Sequence, residues 1–169
     1  VSTHVLPDQD NPATPATASR YVYQWYDNDG RVTTTADYGE CASDPAPASA
    51  PASSGSTVLV TVYAHGYASD TYNGSVSRLY SQVTDAAGKV SQTYVDRLGR
   101  KVTQVEDAAA VARGTRFVYD LSGNLTELTA VDPNGDSSEA DNQTTKYYYN
   151  DRYQQVKVVY PDDSSGDGT

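Results

Sequence analysis

Two histidines, one cysteine and a scattering of carboxylates are the residues of this chain with an evident capacity for chemistry. His4 and His65 stand apart from any Gly-x-Ser-x-Gly or His-x-x-x-His setting. Each reads as a surface or half-buried side chain rather than a general base. Cys41 has no internal partner for a disulfide and no nearby base to draw a thiolate, so it reads as a small, half-buried filler. No catalytic, cofactor-binding or metal-ligating residue is assigned on these grounds, and the expectation is a protein that is not an enzyme.

Two acidic clusters carry the oxygen chemistry of calcium. Asp132, Asn134 and Asp136, continued by Glu139 and Asp141, alternate around Gly135, and Asp27-Asn28-Asp29-Gly30 is a shorter version. Calcium takes six to eight oxygens, and neither cluster has the twelve-residue spacing of an EF-hand loop. A hairpin turn accounts for the same residues. Asn73, Asn124 and Asn142 open Asn-x-Ser/Thr triplets that fit attached sugar. Tyr147-Tyr148-Tyr149 with Tyr153 and Tyr160, and Tyr63, Tyr67 and Tyr72, could form aromatic platforms for glycans; as filler of thin sheets they need no ligand.

The elements that would position these residues are announced by turns. Asp followed three residues later by Gly recurs at Asp27/Gly30, Asp85/Gly88, Asp96/Gly99, Asp120/Gly123 and Asp132/Gly135, with glycines 58, 11, 24 and 12 residues apart. These intervals approach multiples of an 11- or 12-residue unit, the length of two short strands and their turns. Asp at the first turn position accepts from the amides that follow, and Gly at the fourth takes positive φ without a Cβ clash. A type I turn with a glycine bulge suits the twist of the flanking strands. The arms then predict strands at 20–26, 31–36, 57–63, 76–84, 89–95, 100–106, 115–120, 124–131, 144–149 and 154–160.

Composition agrees with an all-β fold of antiparallel hairpins. The chain has 19 Val, 15 Tyr and 18 Thr, but only 7 Leu, 1 Phe and no Ile. Those abundant types suit pleated, half-buried surfaces, so thin sheets are expected instead of a thick core.

Three stretches carry a family likeness: Tyr26-Asp27-Asn28-Asp29-Gly30-Arg31, Tyr94-Val95-Asp96-Arg97-Leu98-Gly99-Arg100, and Phe117-Val118-Tyr119-Asp120-Leu121-Ser122-Gly123-Asn124-Leu125. With these the chain resembles the YD repeats of Rhs-type proteins over most of 20–160. The resemblance implies a twisted, spiralling β-sheet used as a toxin-enclosing shell or as a cell-surface and adhesion module. The chain departs from that pattern in its short length and in having Asp136 after Asp132-Pro133-Asn134-Gly135, where the family's processing motif differs. Its last unit, Tyr149-Asn150-Asp151-Arg152-Tyr153, has Asn for Asp and lacks the turn glycine. Encapsulation is therefore not expected of it.

The hairpin array is expected over 20–160, with a Pro/Ala/Ser-rich linker at 42–57, an extended N-terminal segment at 1–19 and an acidic tail at 161–169. The missing Met and the start at Val1 suggest a processed product or an excised piece. A formal net charge of -10 repels phosphate backbones, which argues against nucleic acid as a partner. No run approaches about 18 apolar residues, so no membrane span is expected. The expected role is a structural scaffold outside the cell or at its surface, self-associating through exposed strand edges, with glycan binding as the alternative.

Overall fold

The computed structural model describes the backbone of residues 2–7 and the whole of 19–108, 113–131 and 142–161. Among them are eleven strands: β1 (Ser2–Pro7), β2 (Ser19–Tyr26), β3 (Val32–Cys41), β4 (Leu59–Asp70), β5 (Val76–Thr84), β6 (Val90–Val95), β7 (Lys101–Glu106), β8 (Arg113–Tyr119), β9 (Leu125–Val131), β10 (Gln143–Tyr149) and β11 (Gln155–Val159). They pair in chain order, each with its sequence neighbour. The fold is all-β and built of antiparallel hairpins. A 3-10 turn, Thr71–Asn73, joins β4 to β5.

Ten of these strands overlap their expected places, but β3 and β4 run on to Cys41 and Asp70, well past the expected ends at 36 and 63. The eleventh is not among the expected strands: within the extended N-terminal segment 1–19, Ser2–Pro7 pairs along β2 from Ser2↔Gln24 to Pro7↔Ser19. Thr3, Val5 and Leu6 lie within a segment too short and mixed to announce a strand alone; the pairing with β2 supplies what the pattern lacks. The expected turn Asp132/Gly135 and the calcium cluster around it lie outside the described residues.

The chain divides into two compact units. In the first (1–64 with 82–90), the core is a cross-strand row. Tyr23 on β2 faces Ala36 on β3, which faces Val60 on β4, and all three are buried. The Tyr23 ring lies 6.0 Å from Trp25 and meets Tyr38 edge-on at 5.9 Å. The stretch 42–57 has no strand, but it is held by contacts of its own. Tyr23 hydroxyl donates to Asp44, and Ser54 Oγ accepts from the Val60 amide at 2.8 Å. Pro47, Pro51 and Ser54 are half-buried.

In the second unit (65–81 with 91–169), another row crosses β6 to β10: Tyr94, Thr103, Arg116, Thr129 and Thr144 stand opposite one another in turn. Thr129 and Thr144 share a hydroxyl hydrogen bond of 2.9 Å within it. Tyr94, Val102 and Val105 form the buried cluster, with Tyr72, Tyr80 and Tyr119 packed against it. The Tyr80 and Tyr94 rings stack at 5.8 Å. Such rows explain how a chain with little Leu and no Ile folds: Thr, Val and Tyr each bury one face between neighbouring strands.

Candidate functional site

The repeated turn is the most regular feature of the molecule. In all five described copies the first residue's amide donates to the carbonyl four residues on, and the fourth residue's amide donates back to the first residue's carbonyl, at 2.9 to 3.1 Å. Asp27, Asp85 and Asp96 each use Oδ1 to accept from the amides two and four residues later at 2.8 to 2.9 Å. Gly30, Gly88, Gly99 and Gly123 sit at φ between 78° and 91°. This is the three-residue loop with a left-handed fourth position that the spacing predicts.

In three of the copies the residue after the turn serves the other oxygen. Arg31 Nε and Arg100 Nε donate to Asp27 and Asp96 Oδ2 at 2.8 Å, and Asn124 Nδ2 does the same to Asp120. The Arg31 amide and guanidinium hold the Asp27 carboxyl below the usual carboxylate range. At Asp120 the Asn124 side chain, with the turn amides, has the same effect. Arg31 also pairs with Asp29 at 2.8 Å. Both Asp27 carboxylate oxygens and Asp29 Oδ2, offered as calcium ligands, are thus engaged within the turn itself.

The last copy makes the same turn from different residues. Asn150 Oδ1 accepts from the amides of Arg152 and Gln154 at 3.0 Å, and Tyr153 fills the glycine position at φ 60°. Asn succeeds because the turn amides need one acceptor oxygen, and its Nδ2 donates to Gln154 Oε1 at 3.0 Å where the aspartates accept. Tyr153 succeeds at the expense of backbone strain, since a side chain in the left-handed region meets the carbonyl that follows.

Two of the tyrosines that precede a turn, Tyr119 and Tyr149, bolt their hairpin to the one before, whereas Tyr26 and Tyr94 donate to Gln24 and Gln92 on their own strands. Tyr119 hydroxyl donates to the Lys101 carbonyl at 2.9 Å, and Tyr149 hydroxyl donates to the Leu125 carbonyl at 2.8 Å. Lys101 and Leu125 each lie five residues after the turn Asp of the preceding hairpin, Asp96 and Asp120. Strand register repeats too: Thr103 faces Arg116 and Glu127 faces Lys146, each the seventh residue after a turn Asp opposite the third before a turn Tyr. Arg100 adds to the first bolt, its guanidinium 4.7 Å from the Tyr119 ring centre.

A second constellation escapes sequence reading. Asp70, at the end of β4, is wholly buried, and Thr103 Oγ1 donates to its Oδ2 at 2.6 Å. Arg78 Nε on β5 lies 3.2 Å from the same oxygen, within ion-pair reach but without hydrogen-bond alignment. Asp70 Oδ1 has no hydrogen-bond partner among the described residues. Burial, then the Asp70 charge, raises the nearby Tyr94 hydroxyl above its ordinary range. No local pattern marks Asp70, whose burial depends on a threonine 33 residues away. Arg78 also lines a groove of about 580 Å³ with Tyr67, Leu79, Val95, Asp96 and Arg97.

The remaining candidates scatter. Cys41 is half-buried, with Sγ 3.5 Å from the Tyr38 carbonyl. His65 is half-buried on β4, and the His4 side chain lies outside the described residues. Asn73 and Asn142 are half-buried, and the Asn124 amide is the donor to Asp120. The supposed aromatic platforms divide: Tyr72 packs into the core and Tyr149 is a bolt, whereas Tyr67 is 77% exposed. Among the described residues no three His, Cys, Asp or Glu side chains gather as metal ligands, and no helix is long and apolar enough to cross a membrane. Comparison of the sequence with family models and with curated proteins finds no match.

Proposed function

We propose that this chain is a non-catalytic structural scaffold of YD-repeat type, acting outside the cell as a subunit of a self-assembling fibre, sheath or surface layer. The observation that supports this reading is the interlock itself: one turn recurs five times among the described residues, and one tyrosine bolt with its register recurs twice, at Tyr119 and Tyr149. An array whose hairpins can bind their predecessors through backbone carbonyls, as at Lys101 and Leu125, can lengthen without a new fold. Negative-stain electron microscopy and mass photometry at high concentration test it. Filaments or sheets with a repeat of a few nanometres are expected; monomers alone at every concentration would remove the self-assembling role.

The groove beside Tyr67 favours a second reading, a glycan-binding surface module. Its exposed ring offers a stacking face, and Arg78 and Arg97 offer donors to sugar hydroxyls or carboxylates. Saturable binding to a glycan array that disappears with Tyr67→Ala is expected on this reading. Unchanged binding in that variant would exclude the groove.

A further inference from the structure

Resting on the scaffold reading, we infer that the outer edge of β11 is a docking site for one more strand of stated chemistry: the arm of a YD hairpin that ends in Tyr-Asp. The argument compares equivalent positions. Ninth after the turn residue stand Ala36, Tyr94, Val105, Thr129 and Val159. Their exposures are 0%, 6%, 0%, 1% and 38% respectively. The first four lie on strands with a neighbour on each side. Val159 lies on β11, which among the described residues pairs only with β10. It is an apolar residue at a position buried in every other copy.

The polar half of the site is laid out as well. The carbonyl that accepts a tyrosine bolt is the fifth after the turn residue, which after Asn150 is Gln155. Lys157, seventh after Asn150, is the residue that would face the third position before the incoming tyrosine, as Thr103 faces Arg116 and Glu127 faces Lys146. An added strand in this register pairs with the outer edge of β11, places its tyrosine hydroxyl on the Gln155 carbonyl and covers Val159. Backbone pairing supplies attraction, and the hydroxyl and Val159 supply register.

A synthetic peptide of residues 113–124 carrying Arg116→Glu, so that a carboxylate instead of a guanidinium faces Lys157, is the probe, titrated into the full chain and followed by amide and methyl NMR shifts. Shifts confined to 155–159 and the Val159 methyl groups are expected. The peptide carrying Tyr119→Phe should bind about fivefold more weakly, the worth of one net hydrogen bond. Val159→Asp in the protein should abolish binding without altering shifts elsewhere in the fold. No binding at millimolar peptide, equal affinity of the two peptides, or shifts located elsewhere would each overturn the inference. Filaments from a chain that fails to bind the peptide would leave the scaffold reading standing and place its contacts on another surface.

Discussion

At the scale of single residues, the turns show how much of this fold rests on one acceptor atom and one backbone angle. Tyr153 is the exception that tests the rule, since it adopts φ 60° with its side chain 64% exposed. Tyr153→Gly removes the left-handed strain and little packing, so it should stabilise the protein by about 1 kcal/mol. Gly30→Ala, at φ 78°, should destabilise by a similar amount. Urea denaturation midpoints check both, and a loss of stability in Tyr153→Gly would mean that its ring packs. The turn carboxyls also set a pH dependence. Asp27 by the Arg31 amide and guanidinium, Asp120 by Asn124, and Asp37 by Arg20 are all held below their ordinary range. A depressed folded pKa gives stability that is complete above the unfolded value of about 3.9 and is lost as pH falls through the folded value. Stability should therefore fall below about pH 4. Asn150 shows that asparagine makes the same turn without titrating, so Asp27→Asn with Asp120→Asn should fold at neutral pH and show a shallower acid limb in urea midpoints measured against pH.

At the scale of elements, the tight places lie where strands approach through a side chain. A Cβ added to Gly114 on β8 would lie 2.5 Å from a ring carbon of Tyr72. Gly114→Ala should therefore cost about 1–3 kcal/mol, with Tyr72→Ala beside it costing less than the two changes summed. Asp70→Ala strips Arg78 of its carboxylate and Thr103 of its acceptor, and should destabilise on the order of 3 kcal/mol. Thermal melts of these variants decide whether Asp70 organises the β4, β5 and β7 contact or sits there without consequence. The contrast between these sites and the turns marks what the sequence makes legible. Asp-x-x-Gly acts within five residues, so most of the hairpins could be placed from it. Asp70 meets Thr103 and Tyr72 meets Gly114 across 33 and 42 positions, and only the strand order brings them together. The β1 strand belongs to the same class, since its partner β2, not its own pattern, makes it a strand. The Tyr-Asp pair was visible, but its acceptor was not, because a backbone carbonyl leaves no mark in the residue types.

At the scale of the whole molecule, charge and edge chemistry oppose each other. The formal net charge of -10 makes copies of the chain repel, whereas exposed strand edges and apolar residues such as Val156 and Tyr160 favour association. Long-range repulsion between exposed charges is screened over about 8 Å at physiological ionic strength and about 3 Å at 1 M, while backbone pairing and apolar contact are not weakened by that screening. If assembly proceeds through strand edges, light scattering at fixed protein concentration should rise as sodium chloride is raised from 0.01 M toward about 1 M. Assembly held together by ion pairs between copies would behave in the opposite way and dissolve as salt rises. Scattering that falls with salt would therefore replace strand addition with charge pairing as the force between copies. A flat monomer signal across the range would leave each molecule a self-contained array, with the groove beside Tyr67 as the surface to probe next.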